Sequence, residues 1–462
     1  MKTHQTLVAF LAGGVLAGTA WGATVTPAEL SHLGQDLTEV GAEKAGNKDG
    51  TIPAFTGNEK PLPGWSYGKY REDYWPHKDD KPLFTIDASN VDKYADKLSP
   101  GQIAMLKQLP GYSMFIYPSH RDCGLPDAVV ENTKQGATKS RIGADGWSLA
   151  DAVLPSVPFP IAKSGIEMVW NFIQRYQGVA AVVPRAYTAL SASPGSTNHI
   201  WAQWTQITYF PWAKAGQHSP RDFDNLQNGI YYQFVEPASL AGQGLIQRYY
   251  FGKDTESWYY FTGQRRVRRL PAYAYDAPLV GFENQYPADQ SYVFYGNPDR
   301  FDWKLVGKKE MYVPYDAYEM QRFNSKLPDV LGEKYSKPEF RHYELHRVWV
   351  VEGTVKAGMR HATPKKVLYI DEDSYMAEVG DDYDGQGKIW RSKENWFAPQ
   401  WEIQACGISA ATYTDLVSGR YITDETVLGT GKDYQFLPPD SKDPRLQDSY
   451  YSGENLGAVS DR

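Results

Sequence analysis

Between residues 199 and 390, apolar and polar positions follow the two-residue period of β-strands. A helical pattern intervenes once, at residues 316–323. Because turn residues separate the alternating segments at short intervals, we predict an antiparallel meander. The predicted strands are residues 199–210, 229–235, 246–251, 258–261, 265–270, 291–295, 303–313, 343–352, 366–370, 375–379 and 388–390, with weaker strand signals at 411–422.

The clearest strand signals lie between residues 245 and 270, where turns at 252–254 and 263–264 predict three consecutive antiparallel strands. Counting from those turns places Tyr249 opposite Trp258 and Tyr260 opposite Val267. An aromatic face must be covered by a core or by a ligand, and we interpret this face as ligand-binding. The predicted ligand-binding residues are Tyr249, Phe251, Trp258, Tyr260 and Val267.

The other face of the same meander combines arginine with aromatic residues. The spacing places Arg266 opposite Phe261 and Arg268 opposite Tyr259. Such pairs suit a wet surface, since guanidinium groups stack on aromatic rings. One interpretation is that Arg266 and Arg268 contact anionic lipid headgroups or an acidic partner. The alternative is a solvated strand edge that pairs with nearby acids.

Several predicted strands are apolar or aromatic on both faces, for example residues 342–351. A sheet that is wet on one side would alternate cleanly between apolar and polar residues. Both faces are therefore expected to be covered, as in a curled sheet whose interior is filled or holds a ligand.

Helix starts are marked outside the meander by capping boxes, in which Ser or Thr precedes Glu or Gln by three positions. The first of these helices is predicted to extend to about Gly41, since Leu30, Leu33 and Leu37 recur at helical spacing. The three capping boxes pair Thr26 with Glu29, Ser99 with Gln102 and Ser164 with Glu167.

The chain divides into four predicted parts. Residues 1–22 have the basic start, apolar run and small-residue cleavage site of a signal peptide. Residues 23–180 form a helical and irregular region that packs on the sheet, residues 181–425 form the curled meander, and residues 426–462 form an extended polar tail. We therefore expect an exported, soluble protein of the periplasm. Its N-terminus is not lipidated, because no Cys lies near the cleavage site.

Composition narrows the function classes. A formal net charge of −7 argues against a general nucleic-acid-binding protein. Aromatic residues make up 14% of the chain, which favours strands and an amphipathic recognition surface. Cys123 and Cys406 are the two cysteines; in an oxidising compartment they either form one disulfide or remain two buried thiols.

Catalytic and metal-binding signatures are weak. The sequence has no G-x-S-x-G, H-E-x-x-H, C-x-x-C or phosphate-loop motif. His342, Glu344 and His346 share one strand face, but they suit histidines contacting a carboxylate better than a metal site that needs further ligands. The acidic segments at 371–373 and 381–384 are interpreted as plain turns rather than calcium sites. We predict no cofactor, no metal and no catalytic residues.

Three segments resemble a family of exported Gram-negative proteins, the domain-of-unknown-function family 1329. They are YPADQSYVFYGNPDRFDWKLVGKKEMYVPYDAY, HYELHRVWVVEGTVKAGMRH and KKVLYIDEDSYMAEVGDDYDGQGKIWR. The resemblance implies a mainly β (α+β) fold similar to the lipoprotein carriers LolA and LolB, an unclosed antiparallel β half-barrel with helices covering its concave face. It also implies an RND-type inner-membrane transporter and an outer-membrane protein as partners, and it supplies no catalytic residues.

The leading functional hypothesis is a periplasmic carrier of a hydrophobic ligand, such as a lipid or a lipoprotein acyl chain. The carrier would move that ligand between an inner-membrane transporter and the outer membrane. Two alternatives are an exported enzyme that acts on glycans or lipids, and an outer-membrane assembly factor. Lipid or detergent retained by the purified protein would favour the carrier.

Overall fold

The structure is a computed structural model of the 462-residue chain and describes residues 25–270 and 275–460. The predicted signal peptide, residues 1–22, lies outside the described residues. Within the described ranges, no helix has the length and apolar character needed to cross a membrane.

Strands dominate the described part of the chain. They are β1 (Phe84–Ile86), β2 (Met114–Ile116), β3 (Arg141–Ile142), β4 (Leu149–Asp151), β5 (Ala180–Leu190), β6 (Ile200–Tyr209), β7 (Leu226–Glu236), β8 (Gly244–Tyr250), β9 (Glu256–Phe261), β10 (Arg266–Arg269), β11 (Phe301–Pro314), β12 (Tyr343–Val355), β13 (Lys365–Asp371), β14 (Ala377–Tyr383), β15 (Ile389–Gln400), β16 (Ala405–Asp415), β17 (Arg420–Thr426) and β18 (Gln435–Leu437).

Helices are short. The α-helices are α1 (Pro27–Leu30), α2 (Pro100–Gln108), α3 (Asp127–Gly136), α4 (Gly165–Ile173), α5 (Leu327–Val330) and α6 (Gly453–Ser460). The 3₁₀ helices are Glu72–Tyr74, Val91–Lys97, Pro211–Ala213, Pro220–Phe223, Thr262–Gln264, Ala288–Gln290, Tyr318–Gln321, Pro338–Phe340, Pro444–Leu446 and Asp448–Tyr450.

Two antiparallel meanders, β5 to β10 and β11 to β17, join into one sheet where β17 pairs with β5. The strand order is therefore β11-β12-β13-β14-β15-β16-β17-β5-β6-β7-β8-β9-β10. Short strands extend it: β2 pairs with the start of β12, β1 pairs with β2, and β18 pairs with β5. In the part of the chain that the structure describes, β10 and β11 do not pair with each other, so the sheet is unclosed. The predicted mainly β fold with an unclosed antiparallel sheet is confirmed.

Helices cover the sheet: α4 packs on β11 and β12, α2 on β14 and β15, and α6 on β8, β9 and β10. All three predicted capping boxes are present, at Thr26, Ser99 and Ser164. The first helix is shorter than predicted and ends at Leu30. Gly34, four residues beyond its end, adopts φ +83°, a left-handed conformation that is incompatible with a helix continuing to Gly41.

The strand signals missed β1, β3, β4, β5 and β18, and they predicted one strand that does not form. Strand β5 was not predicted because Pro184 lies within it; the register shifts between Val183 and Ala186, so the proline sits in an irregularity of the ladder. Residues 291–295, predicted as a strand, form none. The predicted extended tail also differs, because it ends in α6 and buries Leu446 and Leu456 in the core.

Candidate functional site

The register of strands β8, β9 and β10 is partly as predicted. Tyr260 pairs with Val267 across β9 and β10, which confirms that prediction. The register between β8 and β9 was predicted wrongly, since Trp258 pairs with Ile246 and not with Tyr249. Residues 251–255 connect these strands, and the Phe251 N–H, one position beyond the Leu226–Tyr250 pair of β7 and β8, donates to the Asn225 carbonyl at 2.9 Å. An odd shift of three residues turns Tyr249 to the opposite face of the sheet from Trp258.

Four of the five predicted ligand-binding residues lie in one hydrophobic core. Phe251 and Tyr260 are buried there, and Trp258 and Val267 are half-buried against it. Residues of the C-terminal segment pack over these four side chains, namely Tyr451 and, in α6, Leu456. The indole of Trp258 lies so close to α6 that a Cβ on Gly453 would be 2.5 Å from the ring.

Tyr249 faces the other side of the sheet and lines a cavity of about 90 Å³. Strand pairing brings the lining residues of the sheet together. Leu245 pairs with Tyr232 on β7 and with Tyr259 on β9, and residues that pair directly point to the same face of the sheet. The sheet wall includes Trp204, Ile230, Tyr232, Leu245, Tyr249 and Tyr259. Trp204 and Tyr232 were not predicted as site residues, although the alternation in two predicted strands places them on a single face.

Residues 279–295 cover this cavity, and we call them the cover segment. Phe282, Tyr286 and Tyr292 of the cover segment line the cavity opposite the sheet wall. Four of its non-glycine residues adopt left-handed backbone conformations, among them Tyr292 with φ 53° and the fully buried Val293 with φ 72°. A β-branched residue rarely adopts that conformation, so surrounding contacts must hold it there. Lys393 provides one such contact, since its Nζ donates to the Val293 carbonyl at 2.7 Å.

One end of the cavity is acidic. The Asp424 carboxylate accepts short hydrogen bonds from Thr188 and Tyr286, and the Glu425 carboxylate accepts one from Tyr292. Burial, reinforced by the Asp424 charge, raises the pKa of Glu425 to about 8. Burial likewise raises the pKa of Asp424. The cavity therefore combines aromatic walls with carboxyl and hydroxyl groups at one end.

Smaller spaces adjoin the main cavity. A space of about 50 Å³ shares Tyr292, Tyr295, Gln206 and Glu425 with it, and one of about 20 Å³ shares Tyr249 and Tyr295. Tyr292 and Tyr295 thus act as partitions between neighbouring spaces.

Arg266 and Arg268 are exposed on β10 at the end of the sheet order. Arg268 donates to the Gln264 side chain at 2.6 Å, and its guanidinium lies 5.9 Å from the Phe261 ring centroid. The predicted contact of these arginines with lipid headgroups or a partner stays a prediction.

Cys123 and Cys406 are joined in a disulfide with a Cα–Cα distance of 5.3 Å. Both residues are buried, Cys123 ahead of α3 and Cys406 in β16. The bond therefore ties the irregular N-terminal region to the second meander.

Glu344 lies between the two strand histidines, as the favoured interpretation predicted. The imidazoles of His342 and His346 each approach its carboxylate at 3.1 Å, and the backbone N–H of His120 donates to it at 2.7 Å. The segment at 371–373 was interpreted as a plain acidic turn. In the structure it is buried, and Arg121 forms two hydrogen bonds of 2.8 Å with Asp373.

Comparison with known proteins identifies a family and one similar sequence. A family model described as "Protein of unknown function (DUF1329)" matches residues 85–457. The chain is 37% identical over 439 residues to the uncharacterized protein PA3922 of Pseudomonas aeruginosa, covering 91% of this chain and 92% of that protein.

Solved structures show weaker similarity. A DUF1329 family protein from Desulfovibrio piger matches with a TM-score of 0.42 and 14% identity, covering 63% of this chain and 97% of that chain. A domain of a putative outer membrane lipoprotein-sorting protein from Vibrio parahaemolyticus matches with a TM-score of 0.44 and 11% identity, covering 63% and 98%. The LolA superfamily protein NE2245 from Nitrosomonas europaea matches with a TM-score of 0.37 and 12% identity, covering 64% and 100%.

Proposed function

The chain belongs to the DUF1329 family of proteins of unknown function, and from this premise we propose that it is a periplasmic carrier of a hydrophobic ligand. The observation that carries the proposal is the aromatic cavity between the sheet and the cover segment. Concave, mostly apolar sites with a few placed polar groups are typical of small-molecule binding. The signal-peptide features of residues 1–22 support the compartment.

The lining predicts an amphipathic ligand. Its apolar part would lie between Tyr249, Tyr259 and Phe282, and its polar end would meet Asp424 and Glu425. Because Glu425 has a pKa of about 8, its protonated form can donate a hydrogen bond and its ionised form can accept one. A lipid or an acyl chain with a hydroxyl, amide or amine group near its end fits this lining. We propose that the carrier passes such a ligand between an inner-membrane transporter and the outer membrane.

The cover segment is the proposed gate. It forms no strand, and its strained residues Tyr292 and Val293 depend on neighbouring contacts. A ligand longer than the main cavity would require Tyr292 and Tyr295 to rotate, which joins the adjoining spaces. Apolar surface buried on the ligand contributes roughly 25 cal/mol per Å², so a longer acyl chain that fills the joined spaces gains more binding free energy.

Binding is tested by titrating the purified mature protein with 1-N-phenylnaphthylamine, an apolar fluorescent probe, and by native mass spectrometry of protein taken from the periplasm. We expect saturable probe binding and a copurified lipid that competes with the probe. Ile230→Trp should fill the cavity and weaken probe binding at least tenfold, in line with lost pocket volume. Val306→Trp, at an exposed residue away from the cavity lining, is the matched control and should bind like the parent. Equal binding by both variants would contradict the proposed site.

A further inference from the structure

Beneath the turn at 371–373, the sheet register collects carboxylates and an imidazole on one face. Val348 of β12 pairs with Asp371 of β13, so His346, two residues earlier, lies on the same side as Asp371. The ladder between β13 and β14 skips Glu378, since Tyr369 pairs with Val379 and Ile370 with Ala377. Ile370 and Ala377 belong to one hydrophobic core, which turns Asp371 and Glu378 to the other side.

Three bases in this region are matched by three acids. Lys308 contacts Glu43 and Glu372 at 2.9 and 2.7 Å. The other two basic residues also form ion pairs: Arg347 contacts Glu372 at 3.1 Å, and Arg121 contacts Asp373 at 2.8 Å. Counting one charge each, Lys308, Arg347 and Arg121 balance Glu43, Glu372 and Asp373.

Asp371 and Glu378 remain without a cation. Both side chains are fully buried, and neither forms an ion pair within residues 25–270 and 275–460. Asp371 Oδ2 accepts from the Ser374 N–H and hydroxyl, each at 2.7 Å. Among the described residues, Asp371 Oδ1 and both oxygens of Glu378 have no hydrogen-bond partner. A buried ionised carboxylate without a partner is strongly unfavourable, so these two groups are either protonated or satisfied by a bound cation.

The donor atoms of His346, Asp371 and Asp373 lie within 4.8 Å of one another. Donors that bind one cation at about 2.0–2.5 Å lie at most about 4 to 5 Å apart, so these three can share an ion. A neutral imidazole is the form that binds metals.

We propose that His346, Asp371 and Asp373 bind a divalent cation, with Glu378 as the further carboxylate that completes its charge balance. Two uncompensated carboxylates match the charge of one divalent ion. The mixture of carboxylate oxygens and one imidazole suits Mn²⁺ or Zn²⁺ better than an all-oxygen calcium site. The ion would hold β12, β13 and the turn between β13 and β14 together, beside the Cys123–Cys406 disulfide.

The test is metal analysis of the full mature protein, purified without chelator and without a metal-affinity step. We expect about one equivalent of a divalent ion per chain, since a buried site of this kind is part of the fold. Removing the ion with a chelator should lower Tm by about 5 °C or more, and adding Mn²⁺ or Zn²⁺ should restore it. Metal-free protein whose Tm is unaffected by chelator, Mn²⁺, Zn²⁺ or Ca²⁺ would overturn the proposal and indicate that the two carboxyls are protonated.

Variants locate the ion. Asp371→Asn and Glu378→Gln remove a charge with little change in shape, and each should weaken ion binding by about tenfold or more. Glu394→Gln is the matched control, because Glu394 is buried on the adjacent β15 but accepts a hydrogen bond from Tyr343 at 3.1 Å. It should keep the full metal content. Full metal content in Asp371→Asn would exclude this site, and if a variant fails to fold, the metal content and chelator response of the parent decide.

Discussion

Trp258 and Tyr249 lie on neighbouring strands but on opposite faces of the sheet, so truncating them should have different effects. Trp258→Ala removes a half-buried indole from the core against α6. We expect it to lower the free energy of unfolding by roughly 2 to 4 kcal/mol, as measured by urea denaturation. Probe binding by the protein that remains folded should be unchanged, because Trp258 does not line the cavity.

Tyr249→Ala should produce the opposite result. Tyr249 lines the cavity, so its loss should weaken probe binding by about tenfold, the equivalent of roughly 1.4 kcal/mol. Fluorescence titration measures that change, and Trp258→Ala serves as the control for stability. If Tyr249→Ala binds normally while Trp258→Ala does not, the ligand lies under α6 and our assignment of the faces is reversed.

The acidic end of the cavity predicts a pH-dependent stability. The folded-state pKa of Glu425, about 8, lies above its ordinary value of 4.5, so the folded protein retains a proton that the unfolded chain releases. Its contribution is present below about pH 4.5 and is lost as pH rises through about 8, by up to roughly 5 kcal/mol. Asp424 reinforces this shift, whereas Tyr292 and Arg175 oppose it.

Unfolding measurements at several pH values should show that Glu425→Gln has a flatter profile than the parent. Gln can still accept the Tyr292 hydrogen bond, so the variant isolates the charge. Parallel profiles for the two proteins would show that Glu425 is ionised in the folded state.

Sequence patterns identified one residue of the cavity lining. Tyr249 was predicted as a ligand-binding residue, and it lines the cavity, whereas its predicted partners lie in the core. The connection between β8 and β9 comprises residues 251–255 rather than 252–254, and Phe251 there bonds to Asn225, the next position along the β7–β8 ladder, and to Leu149, about a hundred residues earlier. A local turn signal contains no information about such distant partners. When the predicted register is wrong by an odd number of residues, the side chains of one strand are assigned to the wrong face of the sheet.

At the scale of elements, the cover segment depends on one glycine of the sheet beneath it. A Cβ on Gly380 of β14 would lie 2.3 Å from Val293 Cγ1 and 3.1 Å from Lys393 Cε. We therefore expect Gly380→Ala to displace the cover segment and lower the free energy of unfolding by about 1 to 3 kcal/mol. Probe association, followed by stopped-flow fluorescence, should become faster.

Gly385 provides the control, since a Cβ there meets nothing within 4 Å. Gly385→Ala should leave both stability and probe association near the parental values. Unchanged association in a destabilised Gly380→Ala protein would mean that the cover segment is not the gate.

Helix starts and most strands were predictable because their signals are local. The capping boxes at Ser99 and Ser164 fix helix starts through side-chain contacts three residues away. Strand β5 was missed because its proline is tolerated only through an irregular ladder with β6, a tertiary feature. The ordered tail was missed for the same reason, since α6 is stabilised by packing on β8 to β10.

At the scale of the whole molecule, periodicity indicated a covered, curled sheet but not how the two meanders join. That junction depends on β17 pairing with β5, which lie more than two hundred residues apart in sequence. Burial of the acidic turn is equally non-local, because Arg121 reaches Asp373 across 252 positions. Long-range ion pairs leave no periodic pattern, and a polar turn is otherwise expected at the surface.

The disulfide fixes this long-range arrangement, because Cys123 and Cys406 are 283 positions apart and enclose most of both meanders. Closing a loop of that length restricts the unfolded chain, which in the entropic account stabilises the fold by roughly 5 kcal/mol. The double variant Cys123→Ala, Cys406→Ala should therefore unfold at markedly lower urea concentration. Reductant should shift the parent towards the variant and leave the variant unchanged. A variant as stable as the parent, or two thiols titrating freely in the unfolded, unreduced parent, would show that the bond does not form.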